Sequence, residues 1–578
     1  MPDFPTVGEL LESSCAGNPS RTAMQMESDD GQYRRVTYGE LWEKAGNLAS
    51  FLVGLGVKPG DRVAIQSENR PEWGLAWIAA MRTGAVIVPL DALLGNKDAS
   101  FMLEHSSASV LLVSRNIFNK TWKDNPASFN KSGHIIVFDA VESTDPRVLR
   151  LDDCIARGAQ SDNQLPPLPG PDALLEILYT SGTTGNPKAV MLTQRNIASD
   201  ILSISRMFTF TERDVFLSVL PIHHVFEGTV GFLTPLCAGT GITYAESLAS
   251  TSLIANMRET RATIMLGVPL LYEKLYLGIL RAVSKRPLSV RIPFHLMLAV
   301  ARFAGFFGLK PGGFLFHGLR EKAGMGTIRL FISGGGPLPW SIARGFIELG
   351  FTIIQGYGLS ETSPVITAST EKHNNVRAAG LPMNGAEIRI GEADSRGVGE
   401  ILVRGSMVMK GYYRNDQATA DVMENGWFHT GDAGYIDREG FIHITGRLKN
   451  VIVTHGGKNV YPEELEEKLD SSPFIRESLV YGEPISSDIR GEQVKAIIVP
   501  DYDLIREEWA SLPHGHFHHE PSPEAIRKEI DRAVQQLNQH LPPYKKILEW
   551  TIREGEMEKT STRKIKRFLY KSTRPGTF

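Results

Sequence analysis

The chain is 578 residues long with a formal net charge of -3 and a pI of about 6.6, which leaves no overall electrostatic footprint for nucleic acid. At about 150 residues per domain, this length calls for several packed lobes rather than one core. Cys15, Cys154 and Cys237 are too few and too scattered for a disulfide framework or a CxxC metal site, which fits a reducing cytosol.

The first residues, Met1-Pro-Asp-Phe-Pro-Thr6, have neither the basic flank nor the apolar run of a secretory signal. Thr37 and Glu40 form a capping box ahead of the helical stripe Leu41, Ala45, Leu48 and Leu52. Arg62–Gln66 and Gly84–Pro89 then read as strands separated by a helix, which implies βαβ units and parallel sheets covered on both faces. The same alternation returns at Ala262–Leu266, Thr327–Ile332 and Phe351–Gln355, each ending in a glycine-bearing loop where ligands of such sheets sit.

Between these groups lies Tyr179-Thr-Ser-Gly-Thr-Thr-Gly-Asn-Pro-Lys188. Gly182 and Gly185 let backbone NH groups approach phosphate oxygens, Thr180, Ser181, Thr183 and Thr184 add hydroxyls, and Lys188 adds a point charge. ATP is the first suspect, although such clusters are also ordinary loops. The spacing is not a Walker A loop, because Asn186-Pro187 interrupt the run.

From Glu387 to Ile444 the texture becomes short strands and glycine turns, including Gly399–Arg404 and Gly440–Ile444. After Gly446, Pro462 opens a helix, strands follow near Leu479 and over Ala496–Val499, and Ile526, Ile530, Val534 and Leu537 mark another helix. The expected architecture is α/β: a large N-terminal domain, 1–446, of βαβ subdomains plus a β-rich subdomain, then a small mobile α+β lid, 447–578, hinged at 447–450.

Four further clusters, Ser333-Gly-Gly-Gly-Pro-Leu338, Gln355-Gly-Tyr-Gly-Leu-Ser-Glu361, Trp427-Phe-His-Thr-Gly-Asp432 and Gly446-Arg-Leu-Lys-Asn450, join the opening motif in a fixed order. Together, with the lid following, they resemble the acyl-adenylate-forming (AMP-binding) superfamily over nearly the whole chain. Within it the chain looks most like the long-chain fatty acyl-CoA synthetases (AMP-forming), through Leu220-Pro-Ile-His-His-Val-Phe-Glu227, Gly267-Val-Pro-Leu-Leu-Tyr-Glu273, Gly456-Gly-Lys-Asn-Val-Tyr-Pro462 and Lys559-Thr-Ser-Thr-Arg-Lys564.

The resemblance implies ATP and Mg2+ as cofactors, coenzyme A as co-substrate and a fatty acid as the acid. Thr180 to Gly185 and Lys188 would hold the β- and γ-phosphates, and Glu361 would carry the metal ion, with Ser360 where the family usually has threonine. Alone, Glu361 reads more readily as a helix N-terminal carboxylate than as a metal ligand. Gly334, Gly335, Gly336, Gln355, Gly356, Tyr357 and Gly358 would wall the adenine, Asp432 would take the ribose hydroxyls, and Arg447 would add a further nucleotide contact. Lys564 would be the adenylation lysine, with Arg563 where glycine is common. Lys449 matches the hinge and is followed by Asn450 where an acidic residue is more frequent. Lys458 would flank the pantetheine path, and His224 would stand near the acyl carboxylate and thiol entry. The rival readings are an acyl-AMP ligase loading a carrier protein and a non-catalytic membrane adaptor on the same fold.

Residues 275–316 form a basic apolar insertion in which Arg281, Lys285, Arg286, Arg291, Arg302 and Lys310 occur with no acidic residue between them. This suits an interfacial segment on anionic headgroups, or a hairpin covering an acyl tunnel. Either favours a long acyl chain in an enzyme of the cytoplasm, and the first reading alone also sets it on the cytoplasmic membrane face. The tract His514-Gly-His-Phe-His-His519 lacks carboxylate or thiolate partners in metal spacing and reads as a lid loop.

Overall fold

The structure is a computed structural model and describes residues 4–28, 30–124, 129, 133–180, 187–485, 491–511, 521–559 and 565–570. Ser181 to Asn186, the 514–519 histidine tract and Lys564 lie outside the described residues. Two compact units emerge: one of residues up to 182, 187–388 and 403–428, and another of 389–402 and 429–578.

The first unit carries two large sheets. In the eight-stranded sheet, Arg62–Gln66 pairs in parallel with Val86–Leu90 and with Ala108–Val113, and Val86–Leu90 leads to the antiparallel hairpin Leu174–Thr180 and Lys188–Thr193. In the nine-stranded sheet, Val215–Ser218, Ile264–Gly267, Leu330–Ser333 and Ile353–Gly358 run parallel as neighbours. Their apolar residues are buried, as expected of strands covered by helices on both faces.

The helices form where the sequence pattern places them. Tyr38–Gly54 is capped by Thr37 and Glu40 reciprocally, and Leu41, Ala45, Leu48 and Leu52 are its buried stripe. Trp77 and Trp122 fill the core while their indole NH groups donate to Glu176 at 2.6 Å and to Gln66 at 3.1 Å, whereas the equally buried Trp73 indole NH has no hydrogen-bond partner.

The second unit holds the paired strands Trp427–Ile436 and Ile442–Arg447, whose first residues belong to the first unit, and a three-stranded sheet of Ile475–Pro484, Glu492–Pro500 and Glu549–Ile552. Helix Pro462–Asp470 begins on its proline, where the missing NH costs nothing. Helix Pro523–Gln539 packs Ile530 and Val534 into the same core.

One close approach in the first unit allows only glycine. Helix Leu151–Ala159 crosses Tyr38–Gly54 so tightly that a Cβ on Gly158 would lie 1.8 Å from the Asn47 carbonyl oxygen. Gly158→Ala is expected to destabilise the unit by about 1–3 kcal/mol through overpacking. A fall in the thermal midpoint checks this, and an unchanged midpoint would mean that the helices have room to spare.

Candidate active site

The hairpin Leu174–Thr180 and Lys188–Thr193 sets Thr180 opposite Lys188, with the Thr180 hydroxyl donating to the Lys188 carbonyl at 3.3 Å. The segment between them lies outside the described residues. Gly411-Tyr412 adds to the edge of this hairpin, with Tyr412 opposite Val190. Lys410 and Tyr413 donate their backbone NH groups to Met191 and Ala189 at 3.0 and 2.8 Å. The Lys188 ammonium therefore lies 4.5 Å from the centre of the Tyr412 ring, a cation–π distance.

Glu361 arrives from the other sheet. It sits in the short 3-10 turn Ser360–Thr362 that follows Ile353–Gly358, and its backbone carbonyl accepts from Met409 at 2.8 Å. The Tyr412 hydroxyl donates to Glu361 Oε1 at 2.9 Å. A cation and a carboxylate from separate sheets thus meet on one tyrosine, and both remain half-buried rather than sealed. Tyr412 was not legible as a site residue, because a lone aromatic after glycine reads as a turn or an edge strand.

Beyond the carboxyl ends of parallel strands of one sheet lie His224, Gly334 to Gly336 and the start of the Glu361 turn. Gly334 donates to the Gly267 carbonyl at 3.1 Å, and a Cβ there would lie 2.8 Å from the Phe226 ring. Gly335 has a φ of +80°, the left-handed region that glycine enters freely. Gln355 spends its side chain on backbone: Oε1 accepts from Leu338 at 3.3 Å, and Nε2 donates to Val376 and Ala378 at 2.8 and 3.0 Å. It fixes the glycine loop instead of projecting from it. Gly358 faces Pro364 so closely that a Cβ would be 1.7 Å from its carbonyl oxygen, which accounts for the glycine by strand pairing alone. Tyr357 between them is half-buried.

His224 Nδ1 accepts from Phe226 NH at 3.4 Å. Its neighbour His223 is half-buried with Nε2 3.6 Å from Asp91, and desolvation outweighs that carboxylate to lower its pKa, favouring the neutral ring. Asn69 clamps the same loop, donating to Ser218 Oγ and the Leu220 carbonyl and accepting from Ile222 NH at 3.0, 2.6 and 3.0 Å. Below it Glu227 is fully buried, and neither carboxylate oxygen has a well-formed hydrogen bond, Ser218 being the nearest favourable group. Burial pushes its pKa up to about 8.

In the second unit, Asp432 is buried opposite Arg447, whose Nε is 2.7 Å from Asp432 Oδ1. Glu400 holds the preceding turn by accepting from Gly431 NH at 2.9 Å and pairing with His429 Nδ1 at 2.8 Å. Neither contact of Glu400 has a signal in the linear motif. Lys449 lies in the 3-10 turn Leu448–Asn450, and the Asn450 amide donates to Glu463 at 2.7 Å. An acidic residue at 450 would set two carboxylates against each other there. Lys458 is exposed on the hairpin Ile452–Val453 and Asn459–Val460. Lys559 bridges to Ile565, Lys559 Nζ is 2.6 Å from Glu477, and Arg567 is paired with Glu466.

The AMP-binding enzyme family model matches residues 11–413. The chain belongs to the AMP-binding enzyme family. Among its relatives, Fatty acyl-CoA synthetase A of Dictyostelium discoideum is 31% identical over 83% of this chain and 74% of its own length. Long-chain-fatty-acid--CoA ligase FadD15 of Mycobacterium bovis is 31% identical over 93% of this chain and 90% of its own. Feruloyl-CoA synthase of an Amycolatopsis species is 30% identical over 80% and 84%. Among solved structures, ATP-bound MatB from Rhodopseudomonas palustris superposes with a TM-score of 0.75 at 25% identity, covering 98% of both chains. The o-succinylbenzoate-CoA synthetase MenE of Bacillus subtilis, in complex with ATP and magnesium ion, shares the fold at a TM-score of 0.73 and 23% identity over 97% and 99%.

For this family member the buried Glu227 carries a pH signature. Its pKa rises from an ordinary 4.5 to about 8 on folding, so the stabilising contribution of its protonated form is complete below about pH 4.5 and is lost as pH rises through 8. Relative to Glu227→Gln, the wild type should lose up to a few kcal/mol between about pH 5 and pH 8. Denaturation midpoints of both proteins across that range check this, and a difference that does not move with pH would contradict it.

Proposed function

We propose that this chain is an ATP- and Mg2+-dependent acid–thiol ligase that activates a medium- or long-chain fatty acid as acyl-AMP and transfers the acyl group to coenzyme A in the cytoplasm. The observation that carries this is the meeting of Lys188 and Glu361 at Tyr412, where Lys188 stands opposite Thr180 in the hairpin. Joining a carboxylate to a phosphate crowds anions together, and a cation with an oxygen ligand for a hard metal is what that crowding requires.

In the first half-reaction an oxygen of the acid attacks the α-phosphorus, the bond from that phosphorus to the bridging oxygen breaks, and pyrophosphate leaves. In the second, the sulfur of coenzyme A attacks the acyl carbonyl, the bond to AMP breaks, and AMP leaves. Thr180 to Gly185 with Lys188 would hold the β- and γ-phosphates. A single carboxylate fits Mg2+, which keeps waters and takes phosphate oxygens besides one or two carboxylates, so Glu361 with its fixed geometry suits that role. Bound there, the ion would neutralise phosphate charge. Gly334 to Gly336, Gly356, Tyr357 and Gly358 would face the adenine, with Gln355 and Ser360 holding the wall and the turn. Asp432 and Arg447 would bind the ribose and the nucleotide.

Lys564 would act at the α-phosphate, and the described residues on either side of it are held by the Lys559–Glu477 and Arg567–Glu466 pairs. We propose the 447–578 segment as a lid hinged at 447–450, bringing Lys458 to the pantetheine path, with His224 near the thiol entry. The 275–316 segment would meet the membrane. Feruloyl-CoA synthase among the relatives supports a second reading, an aromatic acid as substrate.

AMP release over straight-chain acids of increasing length and over aromatic acids, with and without coenzyme A, tests the assignment. Turnover should peak with long chains and require coenzyme A for thioester. A peak with aromatic acids favours the second reading, and no AMP with any acid refutes both. Lys564→Ala should abolish adenylation by 100-fold or more on the order of a lost transition-state charge contact, yet spare thioester formation from supplied acyl-AMP. Equal loss in both half-reactions would contradict its role.

A further inference from the structure

We propose that the outer face of helix Leu288–Gly305 and the turn after it docks on an anionic lipid bilayer, lying along the surface. This deepens the membrane contact proposed above and rests on the ligase reading only for its purpose, the collection of acyl substrates dissolved in the bilayer.

The helix has two apolar faces. Phe294, Leu298 and Ala301 turn inward and join the cluster that includes Tyr272 and Leu275 of helix Pro269–Ser284. Ile292, Leu296, Val300, Phe303 and Phe307, spaced at one helical stripe, are all exposed. Phe306 and Phe314 beyond its end are 80% and 88% exposed. A contiguous apolar surface of this kind marks an interaction site rather than ordinary exposure.

Charge decides the occupant. The 275–316 segment holds six Lys or Arg and no Asp or Glu, in a chain whose net charge is -3. Arg302 is committed to Glu348 at 3.0 Å, while Arg281, Lys285, Arg286, Arg291 and Lys310 are exposed. A two-fold contact with a second copy would set these cations against themselves. Anionic headgroups satisfy them while the phenylalanines reach the acyl boundary. The helix is long and apolar enough to cross a membrane by length and composition. Its inward face is packed on protein, however, and Arg291, Pro293 and Arg302 lie within it, so the surface-parallel pose is the one its packing permits.

The test is flotation of the purified full chain with vesicles of phosphatidylcholine alone and with roughly a third phosphatidylglycerol. Wild type should float with the anionic vesicles and release at about 1 M salt. Joint Phe303→Ser, Phe306→Ser and Phe307→Ser should abolish flotation. Joint Arg281→Gln, Lys285→Gln, Arg286→Gln and Arg291→Gln should weaken it on the order of several hundredfold, at roughly fivefold per charge. Both sets change exposed residues, so thermal midpoints should match wild type and AMP release from a water-soluble acid should be unchanged. Wild type that stays unbound overturns the proposal, as do variants that float like wild type. A dimer in sedimentation that the serine substitutions dissolve also overturns it, making a second copy the occupant. Flotation without AMP release from any acid would leave the docking surface standing and remove the ligase reading.

Discussion

The site depends on one side chain that belongs to neither of its working groups. Tyr412 offers its ring to Lys188 and its hydroxyl to Glu361, and the backbone around it is stitched to the hairpin strand on one side and to the Glu361 turn on the other. The residues of 409–413 thereby set the distance between a positive and a negative group that arise from different sheets. A cation–π contact leaves the ammonium available to an anion, whereas a direct Lys–Glu pair would consume both charges. The arrangement keeps both groups ready for a polyphosphate and its metal ion.

In each unit, taken by itself, polar side chains are committed to holding backbone. Gln355 ties the glycine loop to the 376–378 segment, Asn69 ties the 218–222 loop, and Glu400 ties the 429–431 turn. Glu227 is the exception, a fully buried carboxyl without good hydrogen bonds, held in its protonated form over most of the physiological range by burial. Within the second unit Lys559 pairs with the buried Glu477 and Arg567 with the half-buried Glu466.

The local elements were legible because their causes are local. The Thr37 and Glu40 capping box, the strand Arg62–Gln66, the strand Gly399–Arg404 and the proline at the start of Pro462–Asp470 need only neighbouring residues, and each stands at the expected bounds. Strand starts at Ala262, Thr327 and Phe351 slipped by two or three residues, since pairing with a neighbouring strand decides where a ladder begins. Tyr412 and Glu400 could not be read at all, because Glu361 is 51 residues from the first, His429 and Gly431 are 29 and 31 from the second, and no spacing announces them. Gly358 shows the converse: a glycine in a ligand-like motif whose need is met by the carbonyl of Pro364.

The account stands on Lys188 and Glu361 acting on one ligand through Tyr412. The most direct measurement is calorimetric binding of Mg2+ with a non-hydrolysable ATP analogue to wild type, Tyr412→Phe, Glu361→Gln and the double variant. Tyr412→Phe should weaken binding several-fold, about 1 kcal/mol, and should cost nothing further once Glu361→Gln is present. Equal and additive losses, or no loss in either single variant, would contradict it.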